Sequence, residues 1–375
     1  MELLDLRREF PVTRQFNFLD HAAVAPLSAR CVQAVQAYLD LVSTTVHVQG
    51  SPYRQAEHVR GLAARLINAD ADEVTFVKNT SEGLAFVANG LHFSTGDNIV
   101  TSSVEFPANI YPWMNLQAQG VRLKMVPEDH GRVPVERLCE AIDGRTRVVT
   151  VSAVQYASGF RTDLVELGRV CQEKGVLLCV DAIQALGCAP IDVRRMNIDF
   201  LSADAHKWML GPEGIGIFYC RRELLRHLRP STVGWLCMKH ADDYSHYQFE
   251  FRDDARRFDA GAYNLAGIYG LGGSLELLLE AGIDRIWARV RELTDRLVEG
   301  LREKGYRVIS SRRPGESSGI VAFASDRHDP EQLRQHLKAE HRIIVAVRSN
   351  RLRASPHFYN TMEEMEHLIR VLPGH

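Results

Sequence analysis

Val176-Leu177-Leu178-Cys179-Val180-Asp181-Ala182-Ile183-Gln184 opens with five apolar residues and then turns polar. A short apolar run with no polar alternation suits a strand covered on both faces, as at the centre of a parallel sheet. Comparable strand candidates flank it: Val74–Val77, Asn98–Thr101, Arg122–Val126, Val148–Ser152, Asp199–Ala203 and Ile215–Tyr219. Helix-length stretches lie between them, including Ala108–Gln119, Val135–Ile142 and Asp163–Lys174. That alternation predicts an α/β fold, a mostly parallel central sheet sandwiched by helices. After about residue 260 the rhythm changes. A helical region, Ile268–Lys304, breaks near Gly282; strands Tyr306–Ile309 and Gly319–Ala324, helix Pro330–Glu340, two short strands and a helix from Thr361 follow. This order predicts a smaller α+β C-terminal domain.

The composition narrows the class of protein. A chain of 375 residues has room for two domains. A formal net charge of −2 gives no footprint for nucleic acid or a membrane surface. No apolar run approaches the roughly 20 residues of a membrane span, and the charged N-terminus lacks the order of a secretory signal. Seven scattered cysteines without a Cys-x-x-Cys pair, and fifteen histidines without a His-Glu-x-x-His, suggest neither a metal site nor a disulfide framework. A reducing cytoplasm is the expected location.

Two segments carry candidate chemistry: Asp181-Ala182-Ile183-Gln184, and Ser202-Ala203-Asp204-Ala205-His206-Lys207-Trp208. Asp181 falls at the carboxyl end of a predicted strand, the edge where ligands of parallel sheets bind. Lys207 follows the next strand, so both side chains can meet over one crevice. Carbonyl-cofactor chemistry needs a lysine whose pKa burial lowers. It also needs a carboxylate that keeps a pyridine nitrogen protonated. The plain alternative for each residue alone is a helix cap and a surface lysine.

The flanking residues resemble the class V aminotransferase family of fold-type-I pyridoxal-phosphate (PLP) enzymes, which includes the cysteine desulfurases and selenocysteine lyases. The matching stretches run in family order: Phe18-Leu19-Asp20-His21-Ala22-Ala23, Asn79-Thr80-Ser81-Glu82-Gly83, Gly96-Asp97-Asn98-Ile99-Val100, Asp181-Ala182-Ile183-Gln184, His206-Lys207-Trp208, Gly211-Pro212-Glu213-Gly214-Ile215-Gly216 and Arg257-Phe258-Asp259-Ala260-Gly261. The resemblance implies an N-terminal segment, 1–20, packed on the small domain, a PLP-binding domain over 21–260 and a small domain over 261–375. It implies that Lys207 carries the cofactor as a Schiff base and moves the α-proton. Asp181 then pairs with the ring nitrogen and Gln184 donates to the phenolic oxygen. Thr80 and Ser81, ahead of a helix predicted over Glu82–Leu91, hold the phosphate together with His206; simple N-capping is the plain reading of that pair. A homodimer with Gly261 and Asn264 near its boundary is also implied.

Several positions depart from the family. Desulfurases need a cysteine on a small-domain loop, but here the last cysteine is Cys237. The matching region, Val345-Ala346-Val347-Arg348-Ser349-Asn350-Arg351-Leu352-Arg353-Ala354-Ser355, looks shortened, so a cysteine desulfurase is not expected. Phe106 replaces the usual histidine over the ring; it can cover the cofactor or pack in the core. Asp204 replaces a phosphate-binding serine and is expected to turn away, toward His206. Ala262 replaces a threonine. Arg353 resembles the arginine that grips the substrate carboxylate, with Arg348 and Arg351 as competitors. Gln155, Tyr156 and His21 are further substrate-side candidates, and His47 is a near-site one.

An aminotransferase is the expectation. The alternatives are a β-eliminating C–S or C–Se lyase, an epimerase of the isopenicillin N type, and a non-catalytic binding protein on the same fold. A nicotinamide-dependent dehydrogenase is disfavoured because no glycine-rich fingerprint follows an early strand; Gly267, Gly270, Gly272 and Gly273 suit close helix packing instead.

Overall fold

A computed structural model of the chain describes residues 3–46, 48 and 50–374. Strand β1 (Asn17–Phe18) precedes helices α1 (Ala29–Thr44) and α2 (Tyr53–Ile67). Next come β2 (Val74–Val77), α3 (Thr80–Gly90), β3 (Asn98–Ser102), α4 (Tyr111–Met114), β4 (Arg122–Val126), α5 (Val135–Ala141), β5 (Thr146–Ser152), α6 (Leu164–Lys174), β6 (Leu177–Asp181), β7 (Phe200–Asp204) and β8 (Gly216–Cys220). The remainder is α7 (Leu265–Ala281), α8 (Ile283–Glu303), β9 (Arg307–Val308), β10 (Val321–Ala324), α9 (Pro330–His341), β11 (Ile343–Ile344), β12 (Ala346–Arg348), β13 (Arg351–Ala354) and α10 (Met362–Val371).

Seven strands form one sheet in the order β2-β8-β7-β6-β5-β3-β4. From β4 to β7 all neighbours are parallel, whereas β8 is antiparallel to β7 and β2 to β8. This is the expected mostly parallel α/β sheet. Residues 178–181 of β6 are buried, as a run apolar on both faces requires. The second sheet, β12-β13-β10-β9, is antiparallel, and β1 pairs in parallel with β11.

Some local expectations change. The helix anticipated over 108–119 is broken into short turns around α4, because Pro112 has no N–H to donate to the carbonyl four residues back. The helix anticipated from Glu82 begins at Thr80. Three short strands, not two, precede the last helix, and the first of them pairs with the N-terminal segment.

The apolar residues of α7 join the core of the large sheet. Its glycines make this possible: a Cβ on Gly273 would sit 2.8 Å from the Arg30 carbonyl oxygen, and one on Gly272 2.7 Å from Val59. Helix α8 then crosses between cores. Ile286, Trp287 and Val290 belong to the first, Leu293, Leu297 and Leu301 to the second.

His21 corrects an expectation. It is fully buried, with Nδ1 donating to the Ser355 carbonyl at 2.8 Å and Nε2 accepting from the Tyr359 hydroxyl at 2.6 Å, so neither nitrogen is left for a substrate. Beside it, buried His357 donates from Nε2 to the Trp208 carbonyl (3.1 Å) and accepts the Phe358 amide at Nδ1 (2.8 Å). The two rings meet at 5.3 Å and tie the N-terminal segment and the region after β13 to the lysine loop. Burial holds both imidazoles neutral; His21 is pushed well down and His357 to about 4.

The unfolded chain therefore takes up a proton below about pH 6.5 that folded His357 refuses, and folding loses stability as the pH falls to about 4. His357→Gln removes the share of this loss that His357 carries, leaving that of His21. In urea unfolding, its destabilisation relative to the parent should shrink by about 3 kcal/mol between pH 6.5 and 4. A gap that stays constant with pH would refute the assignment.

Candidate active site

The carboxyl ends of β5, β6 and β7 converge on Asp181. Its register neighbours are Ser152 and Ser202, and it is 1% exposed. Its Oδ1 accepts the Ile183 amide at 3.0 Å, and no arginine or lysine forms a salt bridge with it among the described residues. Burial pushes the carboxyl up to about 7; the Ile183 amide opposes this, the Glu105 charge adds to it, and Lys207 opposes it.

Lys207 lies three residues beyond β7 in a turn clamped from below. Trp208, fully buried, donates its indole N–H to Gln184 Oε1 at 2.9 Å, and Gln184 Nε2 donates to the Ala22 carbonyl at 3.0 Å. Lys207 itself is nearly buried, and its ammonium has no hydrogen-bond partner among the described residues. Burial pulls it down to about 8; Asp181 opposes the shift, while Arg353 and Arg348 reinforce it. Its Nζ stands 5.5 Å from the centre of the Phe106 ring.

At the start of α3, Asn79 is the N-cap, accepting the Glu82 amide at 3.0 Å, so Thr80 and Ser81 occupy the first turn rather than the cap. The Thr80 hydroxyl accepts the Asp204 amide (3.0 Å) and retains its own hydrogen to donate. Gly83 brings the helix against β7, where a Cβ would collide with the Ser202 hydroxyl. Asp204 faces His206, with 3.1 Å between Oδ2 and Nδ1, although the angle is too poor for a hydrogen bond. Ser81 is exposed.

The opposite wall is Phe106, 43% exposed and edge-on to Tyr156 at 5.2 Å. It lines the opening and is not a core residue. Gln155, anticipated near a substrate, is instead buried and donates to Glu105 Oε1 at 2.6 Å. Glu105 also accepts from the Asn109 amide, the Ser102 hydroxyl and both the amide and hydroxyl of Ser152. It anchors the segment that presents Phe106.

Arg353 is 1% exposed. Its guanidinium donates to the Tyr156 carbonyl (2.8 Å) and to Asp20 Oδ1 (3.2 Å), while Nε has no partner. Burial raises the Asp20 carboxyl, against the pull of Arg353. The expected carboxylate grip is therefore closed by a carboxylate of the chain itself. Asp20 and Glu105 received no role in the sequence reading; the only signals were their places inside Leu19-Asp20-His21 and directly before Phe106. His47 lies outside the described residues.

A buried carboxylate without a cation, poised about 7, suits a protonated ring nitrogen, and a lysine without a competing partner suits a carbonyl. The free Thr80 hydroxyl hydrogen at a helix start suits a phosphate. The residues thus fit PLP.

Comparison with known proteins agrees. The family model for aminotransferase class-V matches residues 17–370. A probable cysteine desulfurase of Methanothermobacter thermautotrophicus is 32% identical, covering 98% of this chain and 96% of its own. An uncharacterized aminotransferase of Bacillus subtilis is 30% identical, covering 97% and 95%. The apo structure of a cysteine desulfurase from Thermococcus onnurineus superposes with a TM-score of 0.89 at 27% identity, covering 98% and 96%. The chain therefore belongs to the aminotransferase class-V family, and its cofactor is pyridoxal 5′-phosphate.

Proposed function

We propose that the chain is an aminotransferase acting at the α-carbon of an amino acid. One observation carries the reading: Lys207 is nearly buried, without a hydrogen-bond partner among the described residues, and faced by Phe106, which cannot relay a proton to a leaving group. Bound PLP supplies an electron sink for negative charge at the α-carbon. With the cofactor bound, Lys207, its ammonium weakened by burial, would take up and give back the substrate's α-proton at Nζ. Asp181 accepts the ring N–H. Gln184, its Oε1 held by Trp208, offers its amide to the phenolic oxygen. Thr80, Ser81 and His206 hold the phosphate. Tyr156 borders the substrate, whose carboxylate takes the place of Asp20 on Arg353.

A second reading, β-elimination of sulfur from a cysteine derivative, is favoured by the desulfurase names of the relatives. Those names run against rejecting sulfur chemistry altogether. A persulfide on the chain's own thiol is less well supported. Six of the seven cysteines are buried and Cys139 is partly so. Burial raises the thiols, Cys171 to about 12, away from the reactive thiolate. The loop that would carry such a cysteine is a turn of Ser349 and Asn350, both at left-handed φ (49° and 57°).

We also propose a homodimer, supported by the exposed aromatic stretch of Trp235, Tyr244, Tyr247 and Phe249. No helix among the described residues is long and apolar enough to cross a membrane.

Lys207→Ala should abolish the visible cofactor absorbance and slow turnover by about a thousandfold or more. Retention of both would remove the lysine from its role. With an amino-acid panel, the products decide the reaction: keto acid with aminated cofactor for transfer, but pyruvate, ammonia and sulfide for elimination. Alkylation of accessible thiols should leave either rate intact; inactivation that substrate prevents would reinstate a catalytic cysteine. Sedimentation of the holoenzyme as a monomer would exclude the dimer.

A further inference from the structure

Arg348, Arg351 and Arg353 lie on one face of the β12–β13 hairpin. In its antiparallel register Arg348 opposes Arg351 and Ala346 opposes Arg353, and directly opposed residues project to the same side. The other side carries Val347 and Leu352, packed into the second core. The arginine face is the one whose deepest member bonds the Tyr156 carbonyl and Asp20, so it borders the Lys207 pocket. Asp20 makes its salt bridge with Arg353. Neither Arg348 nor Arg351 has a carboxylate partner among the described residues; the one hydrogen bond of the exposed Arg348 goes to its neighbour, the Val347 carbonyl, at 2.8 Å. The charge of Arg348 nevertheless reaches inward, acting on Lys207, Asp20 and Arg353.

A substrate α-carboxylate needs one guanidinium fork. This face offers three, two of them without a carboxylate. We infer that Arg348, backed by Arg351, binds a second anionic group, so that the substrate is an amino acid with an acidic side chain. The inference rests on the reading of the site as that of an amino-acid enzyme, and it adds the side chain's charge. The tight turn at Ser349–Asn350 bears on it: with no long loop there, Arg348 and Arg351 at the end of the hairpin are not covered by further chain.

The test uses the holoenzyme and follows the change of cofactor absorbance on titration with L-aspartate, L-glutamate and L-cysteine sulfinate, each against L-asparagine or L-glutamine. The acids should bind at least about tenfold more tightly than the amides, a preference that weakens with salt. Arg348→Gln should bring that ratio toward unity, and Arg348→Lys should restore part of it. The carboxylate and sulfinate arms show which anion the site takes. Equal binding of acids and amides to the parent enzyme would overturn the inference while leaving the amino-acid reading intact, as would an acid preference that survives Arg348→Gln. No response to any amino acid would overturn both.

Discussion

Asp181 sits where water does not reach, one hydrogen bond from Ile183 and out of salt-bridge contact with any described cation. A bare buried carboxylate is costly, and the cost appears as a raised proton affinity. Everything around it follows from that placement. The central strand must be apolar on both faces to end so deeply, and the helices must cover it. Lys207 carries the complementary penalty, an ammonium weakened by the same burial. The two residues are held on separate segments, Asp181 at the end of a strand and Lys207 in a turn.

Around this pair, structural hydrogen bonds do the positioning. Trp208 and Ala22 set the orientation of the Gln184 amide, and Glu105 gathers Ser102, Asn109, Ser152 and Gln155 beneath Phe106. Glu105 is a buried carboxylate satisfied by neutral donors, and its charge is also felt at Asp181. A loop carboxylate thus adds to the proton affinity of Asp181 from a distance.

Much of this was legible in the sequence. The inner strands of the large sheet were readable because buried strands are apolar runs with sharp ends, and β2 and the partly exposed β4 coincide with their anticipated bounds. Asp181 and Lys207 were readable because each lies just after such a run. Pro112 lies inside the helix-length stretch 108–119 and breaks it. What could not be read were pairings across the chain. Asp20 meets Arg353 across 333 residues, and His21 meets Tyr359 across 338. A motif places such a residue near a site without saying whether its polar atoms are already taken. The helix after residue 261 was placed with the small domain because its pattern differs from the strands before it, yet its glycines fit it to α1 and α2.

Helix α8 gives the molecule a mechanical property. Because one continuous 21-residue helix lends apolar side chains to both cores, no slack linker joins them at this point. Swinging the arginine hairpin away from the lysine would mean bending a rigid rod and breaking the β1–β11 pairing at the same time. The gap between the arginine hairpin and Lys207 is set by a strut rather than a latch. The spacing of the two cores is then a matter of stiffness, and substitutions that soften α8 would loosen it from a distance.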